Sequence, residues 1–401
     1  MNVLFLSISP MAHLSSHSIS LDLIHEFIRN GHKVYVVCSL ERGNTQTTAV
    51  SEEAGATVLR VKIGKNKKAN LIEKGITTLL LPVLYKSAVK KYFKDIRFDL
   101  VMYPTPPVTH VGTAKYIKRR DGAKTYLLLK DIFPQNAVDI GMMRKSGLKG
   151  IIYRYFRMVE KKLYKISDYI GCMSEENVKY LLKHNPEISP ETVEVCPNSI
   201  EIQDLPVTED ECVALREKYG IPLDKKVFIY GGNLGRPQGI PFLMESLRSV
   251  KEKENAFFLV VGDGTEYGKL EKSFAEEKLP NAKLLKKLPK EDYDRLVSAC
   301  DVGLIFLDHR FTIPNFPSRI LAYMQKKMPV IACTDPNTDM GKVISENNFG
   351  WWCESNDARK FAEITDVALV SDLKSMGENG YEFLKENYTV SKSYETIMKR
   401  M

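Results

Sequence analysis

Short runs of apolar, β-branched and aromatic residues alternate along the chain with longer stretches whose apolar positions recur at helical spacing. A first series of runs covers residues 3–8, 33–38, 57–63, 100–103, 125–129 and 169–173, and a second covers 227–230, 257–261, 283–285, 302–307 and 330–333. Helical spacing lies between them, as at 18–30, 239–251, 290–299 and 317–325. Strands that are apolar throughout and alternate with helices belong to parallel sheets covered on both faces. Eleven such strands exceed one comfortable open sheet, so the pattern predicts two doubly wound α/β domains. The break falls between Asn198 and Leu223, where a polar stretch separates the two series, giving domains of 1–200 and 201–380. Residues 381–401 read as one amphipathic helix, with Tyr381, Leu384, Tyr388, Tyr394 and Ile397 among its apolar positions. No internal repeat or low-complexity tract interrupts the pattern.

Composition narrows the class. A chain of 401 residues, 44% hydrophobic and 27% charged, is an ordinary soluble globular sequence and not a disordered one. Its longest apolar stretch, Ile76 to Leu84, is far short of the ~20 residues a spanning helix needs. The N-terminus reads as a strand and not as a signal peptide. Seven cysteines form no CxxC pair, which fits a reducing cytoplasm and argues against a disulfide scaffold or zinc cluster. The net charge of +8 is unevenly spread: residues 1–200 hold 30 Lys+Arg against 18 Asp+Glu, and the remainder holds 28 against 32. Two segments concentrate the excess, Arg60–Arg97 with 11 basic and 2 acidic residues and Arg144–Lys165 with 8 and 1. One half therefore suits an anionic surface and the other a small ligand.

Four segments carry candidate chemistry. The run from Val227 to Gly239 is a strand ending in a Gly-rich turn, where Gly232 would let a backbone approach a phosphate and Arg236 would supply a cation. Gly262-Asp263-Gly264 follows the next strand; alone it is a tight turn, but it falls at the carboxyl end of the neighbouring strand, where ligand loops gather. Pro317 suits the first position of a helix, placing Ser318 and Arg319 in its first turn, where a cation is unfavourable unless an anion shares the site. In the first half, Lys130 and Asp131 stand at a strand end, where Asp131 could orient or deprotonate an acceptor hydroxyl. His17 and His110 are weaker acceptor-side candidates, since lone histidines near helix starts are commonly structural. Asp292-Tyr293-Asp294 has the spelling of a metal-binding DxD but lies at a helix start, where acidic residues are favoured anyway. No metal is expected.

Taken in order, Gly31-His32-Lys33-Val34, Pro197-Asn198, Gly232 to Gly239, Gly262-Asp263-Gly264, Ala299-Cys300-Asp301-Val302 and Pro317-Ser318-Arg319 followed by Pro329-Val330-Ile331-Ala332 resemble a retaining glycosyltransferase of family 4. Within that family, the block from Phe316 to Tyr323 and Asp131-Ile132-Phe133-Pro134 resemble bacterial surface-polysaccharide enzymes of the fucosamine-transferase type. The resemblance implies a GT-B architecture: two Rossmann-like domains, the first for the acceptor, the second for the donor, and a C-terminal helix crossing back to the first. It implies donor contacts from Gly232, Asn233, Gln238, Gly262, Gly264, Asn315, Phe316 and Ser318, with Arg236, Arg319 and Asp131 as catalytic groups. The chain departs from the family where a pair of glutamates is usual, at Pro314 and Ala322, and where an Arg and a Lys are usual, at Asn233 and Gln238.

The expected reaction moves a sugar from a nucleotide-diphosphate donor, UDP-linked, to a polyprenyl-linked saccharide, with the nucleotide-sugar as substrate and no cofactor. Lys145–Lys165 mixes cations with Ile, Tyr, Phe and Leu at helical spacing. With Arg60–Arg97 it suits an anionic membrane surface, so the expected location is the inner face of the cell membrane. No module that reads nucleic acid is recognisable. A GT-B nucleotide-sugar epimerase and a two-lobed solute-binding protein are the alternative readings.

Overall fold

A computed structural model of the chain describes residues 1–11, 13–40, 46–63, 71–203 and 206–401, with the side chains of 71–79 and 148–149 outside the description. Parts of both expected basic segments, 64–79 of one and 148–149 of the other, thus lie outside the described residues or side chains. The chain forms two compact units, Met1–Glu201 with Thr389–Met401, and Ile202–Tyr388.

The first unit is built on β1 (Asn2–Leu6), β2 (Lys33–Leu40), β3 (Ala49–Glu53), β4 (Ala56–Lys62), β5 (Leu100–Pro104), β6 (Lys124–Leu129), β7 (Tyr169–Cys172) and β8 (Val193–Val195). Their order is β3-β4-β2-β1-β5-β6-β7-β8, parallel throughout except for the β3–β4 hairpin. That hairpin turns at Ala54 and Gly55, both at positive φ, as a two-residue turn matched to strand twist requires. β3 escapes a hydrophobic reading because its AVSEE sequence is an exposed edge. Along β1, Val3 and Phe5 face a core shared with Ile24 and Phe27 of the helix Ile19–Arg29. Ser18 caps that helix by accepting from the Leu21 N–H at 3.3 Å.

The second unit holds β9 (Lys226–Asn233), β10 (Ala256–Asp263), β11 (Ala282–Lys286), β12 (Val302–Phe306), β13 (Val330–Thr334) and β14 (Gly350–Glu354), in the order β11-β10-β9-β12-β13-β14, all parallel. Phe228, Tyr230, Phe258, Val260, Leu304 and Phe306 fill one core beneath Leu243, Leu247 and Phe361. Period-2 alternation sends their neighbours to the other face, so both faces are apolar and the strands read as continuous runs.

The closing segment differs from the single helix expected over 381–401. Leu373–Asn387 is one helix and Val390–Met398 another, and only residues from Thr389 onward join the first unit. Leu384 is buried and Phe383 packs on Phe349 at 5.6 Å, within the second unit. The last helix lies on Ile19–Arg29, where Tyr394 meets Phe27 edge to face at 4.9 Å and His32 at 2.9 Å.

Candidate functional site

In the second unit, β9 is flanked by β10 on one side and β12 on the other, the crossovers leaving in opposite directions. Ligands of open α/β sheets bind at such a reversal, outside the carboxyl ends of the strands. The carboxyl end of β9 is Tyr230-Gly231-Gly232-Asn233. Gly232 has φ 126° and is exposed, a backbone conformation that suits glycine and leaves its N–H and C=O open to a ligand.

Arg319 lies over this strand end. A Cβ at Gly232 would sit 3.5 Å from its Nη2, and its guanidinium carbon lies 4.3 Å from the centroid of the Tyr230 ring. Nη1 is buried and has no hydrogen-bond partner among the described residues, and no carboxylate there pairs with the side chain. Burial opposes the charge, but Tyr230, Tyr323 and Tyr293 together raise the guanidinium above its ordinary pKa. A desolvated cation stacked on an aromatic face is worth ~2 kcal/mol, which helps hold Arg319 charged in a place that lacks a counterion.

The helix expected over 317–325 begins at Arg319 and runs to Gln325, with Ser318 as its N-cap and Pro317 outside it. Arg319 thus stands in the helix's first turn, as expected, and its side chain folds onto Tyr230 and Gly232. The tyrosine cradle escaped sequence reasoning. Tyr293 belongs to the Asp292-Tyr293-Asp294 run, whose Asp294 is held by Lys290 at 2.5 Å. The Tyr293 ring fills the space beside Gly231, where a Cβ would lie 1.7 Å from its hydroxyl. Tyr323 donates to the carbonyl of Ile229 at 3.1 Å. Gly231→Ala is therefore expected to destabilise the protein by ~1–3 kcal/mol through overpacking, read as a lower melting temperature.

The other residues expected on the donor side hold loops. Asn233 donates to Gln238 Oε1 at 2.9 Å, and the Gly235 N–H reaches the same oxygen at 3.2 Å, so this pair closes the Gly-rich turn on itself. Arg236 is exposed, 3.6 Å from Glu266. Cβ atoms at Gly262 and Gly264 would meet the Gly232 carbonyl at 2.1 Å and the Leu234 carbonyl at 2.4 Å; both glycines let two ligand loops approach each other. Asn315 accepts from Thr338 Oγ1 at 2.6 Å through its carbonyl, while its own Nδ2 is buried without a partner. Phe316 packs 6.0 Å from Tyr388. Asp335, just past β13, is fully buried, and burial pushes its carboxyl up to about 6. Its position after a strand end was the available signal, and it was missed.

In the first unit, Lys130 and Asp131 follow β6 at its carboxyl end. Burial pushes the Asp131 carboxyl up to about 6, against the Asn136 amide that bonds both its oxygens at 2.8 and 2.7 Å. Thr105 Oγ1 fixes the backbone beneath by donating to the Asp131 carbonyl at 2.9 Å. Lys130 is driven down to about 8 by burial. A carboxylate poised near 6, oriented by an amide and set on a strand end, has the properties of a general base. His110 is 1% exposed with neither ring nitrogen partnered, and burial lowers it to about 3, so it is a neutral core imidazole. His17 bonds the buried Asp22 at 3.1 Å. With Glu201 these two form a group that could converge on an ion, but Arg29 is already paired with Glu201.

The model of glycosyl transferases group 1 matches residues 214–383, and that of glycosyltransferase family 4 matches residues 19–204. The chain is a GT-B glycosyltransferase. The probable glycosyltransferase WbjE of Pseudomonas aeruginosa is 26% identical over 330 residues, 82% of this chain and 80% of that protein. The putative colanic acid biosynthesis glycosyl transferase WcaI of Escherichia coli is 24% identical over 258 residues, 63% and 60% of the two chains. Among solved structures, sucrose-phosphate synthase from Thermosynechococcus elongatus superposes with a TM-score of 0.76 at 14% identity, covering 99% of this chain and 97% of that one. Anabaena Alr3699/HepE in complex with UDP-glucose gives 0.68 at 14%, covering 100% and 99%. As a glycosyltransferase, the chain leaves the epimerase and solute-binding readings behind. The model for group 1 spans β9 to the Leu373–Asn387 helix, and so includes the whole Arg319 site.

Proposed function

We propose that this glycosyltransferase moves a sugar from a UDP-linked donor to a polyprenyl-linked saccharide in capsule or O-antigen assembly, with retention of anomeric configuration. The observation that carries the reading is Arg319: a buried guanidinium with a free Nη1, no carboxylate partner among the described residues, and an exposed glycine beneath it at a strand reversal. Such a site is completed by an anion, and a diphosphate leaving group supplies one. The UDP-glucose complex of HepE and the colanic acid designation of WcaI support the choice of donor and pathway class. In this reading the second unit holds the donor, with Arg236 near its phosphates. Asp131 of the first unit takes or orients the acceptor hydroxyl proton.

The helix Gly147–Ile166 favours a membrane surface. Its Val159 and Leu163 are buried, and Arg157 is engaged inward by Glu160 at 2.6 Å and Asn185 at 2.7 Å, so that cation is structural. Ile151, Ile152, Tyr155 and Met158 are exposed on the outer side among exposed Arg154, Lys161, Lys162 and Lys165. An outward face of apolar groups and cations suits an anionic bilayer. Among the described residues, no helix is long and apolar enough to cross a membrane.

The deciding experiment is a thermal-unfolding screen of UDP-, GDP- and dTDP-sugars. A donor present at 100 times its Kd adds ~2.7 kcal/mol to the native state. Protection by UDP-sugars alone is expected, and protection by none of the three would defeat the reading. Transfer is also expected to survive EDTA, because guanidinium and backbone N–H groups take the place of an ion at the leaving group. Loss of turnover with EDTA and its return with Mg²⁺ or Mn²⁺ would count against that.

A further inference from the structure

The helix Leu71–Tyr92 carries Pro82 in its interior, and the helix Val111–Asp121 meets it there. A Cβ on Gly112 would lie 2.8 Å from the Pro82 Cβ. Beside this contact opens a groove of about 360 Å³, lined by Pro82, Val83, Lys86, Ser87, Lys90 and Gly112. Lys86 and Lys90 stand one helical turn apart, and both ammonium groups lie near the Tyr116 ring, 5.5 and 5.2 Å from its centroid. Like charges at that spacing repel. Nearby, Lys118 is matched by Asp168 at 2.8 Å and Arg120 by Asp121 at 2.6 Å. Lys86 and Lys90 have no ion pair among the described residues.

The rim of the groove at Val83, and the helix surface that continues from it to Leu80 one turn earlier, are apolar and open. Val83 is 62% exposed and Leu80 49%. A free phosphate would use the two cations and gain nothing from such a rim, whereas a phospholipid offers a phosphate and hydrocarbon together. The helix Gly147–Ile166, with its own outward apolar face, packs against the same Val111–Asp121 helix.

We infer that this groove binds the phosphate of an anionic phospholipid headgroup, with Lys86 and Lys90 donating to its oxygens and Leu80 and Val83 lying against the glycerol and upper acyl chains. The inference rests on the membrane-surface reading above and assigns a specific site within it. The test is co-sedimentation of the full chain with phosphatidylcholine vesicles, with and without phosphatidylglycerol. It compares wild type, Lys86→Ala/Lys90→Ala, and a charge-matched Lys33→Ala/Lys183→Ala variant, all at exposed positions.

Each lysine near an anionic surface contributes about 1 kcal/mol, roughly fivefold. Binding of the groove variant to phosphatidylglycerol vesicles should therefore fall about 30-fold, while the charge-matched variant stays near wild type. Equal binding of wild type and the groove variant would overturn the site and leave the membrane reading standing. Equal loss in both variants would replace the site with a diffuse field. Wild type that ignores anionic vesicles would remove the membrane reading and the groove with it. Inorganic phosphate that protects wild type but not the groove variant against thermal unfolding, with the two proteins binding anionic vesicles equally, would assign the two cations to a free phosphate and overturn the lipid assignment. Unchanged protection of each variant by a UDP-sugar verifies that it is folded.

Discussion

Arg319→Ala should lower transfer by roughly 10²–10³-fold, the ~2.7–4 kcal/mol that one donor to a developing anion commonly supplies in a water-poor site. The guanidinium carbon lies 4.3 Å from the Tyr230 ring centroid, its Nη1 has no partner, and Gly232 lies beneath Nη2. Removing it leaves no described cation in its place, because Arg236 is exposed and near Glu266. Arg319→Lys should recover only part of the loss: an ammonium keeps the charge but neither stacks like a guanidinium nor presents a two-pronged donor. The measurement is kcat/KM together with the rise in melting temperature produced by a UDP-sugar. The wild-type rise should be lost in Arg319→Ala and reduced in Arg319→Lys. A folded Arg319→Ala protein with wild-type donor protection and turnover would show that the leaving group is held elsewhere.

Asp131→Asn should reduce transfer by ~10²–10⁴-fold, the usual contribution of a positioned general base, while leaving donor protection intact. Burial sets the Asp131 carboxyl at about 6, so wild-type kcat/KM should climb as pH rises through 6, and the variant should lack that limb. Asp335 also sits at about 6, and a limb that persists in Asp131→Asn would point to Asp335. The effect on stability has the opposite sign to that on activity. A carboxyl raised in the folded state binds its proton more tightly there than in the unfolded chain, so its contribution to stability falls as pH rises from about 4 to 6. Asn cannot ionise, and it keeps an oxygen for the Asn136 amide. The variant should therefore melt higher than wild type above pH 6, with the difference shrinking toward pH 4.

Most strands of both sheets are readable because they are buried on two faces and form unbroken apolar runs, as with Val3 to Leu6 and Val227 to Tyr230. The strands outside those runs, of which only β8 is signalled by its end at Pro197, carry weaker patterns. β3 is an exposed edge, β8 has three residues, and in β14 Trp351 and Trp352 are only half-buried. The Gly-rich turns do follow β9 and β10, but their glycines do not all serve the purpose expected of them. Glycine was read as a sign of phosphate approach, yet Gly262 and Gly264 accommodate another loop, whereas Gly232 is open. Arg319 stood out as a cation out of place on a helix start. Its actual support combines Tyr323, one turn along the same helix, with the rings of Tyr230 and Tyr293 from two segments distant in sequence, which no local pattern links to it. Asp131 was visible as a carboxylate at a strand end, but its raised pKa follows from burial and Asn136, which only the folded chain displays.

The return of the chain to its first unit has a consequence for synthesis. Val390 donates to the carbonyl of Ile200 at 3.0 Å, Ser393 to Ser199 at 2.8 Å and Arg400 to Glu194 at 2.8 Å, while Ile397 and Val390 close the core against the Ile19–Arg29 helix. On the ribosome, residues 1–201 emerge long before these partners exist. Until translation reaches Met401, Phe27 and its neighbours lack the cover that Tyr394 and Ile397 provide. The first unit, although made first, therefore cannot close its core until the segment from Thr389 onward has emerged, so the half of the protein that is synthesised first waits for the residues made last.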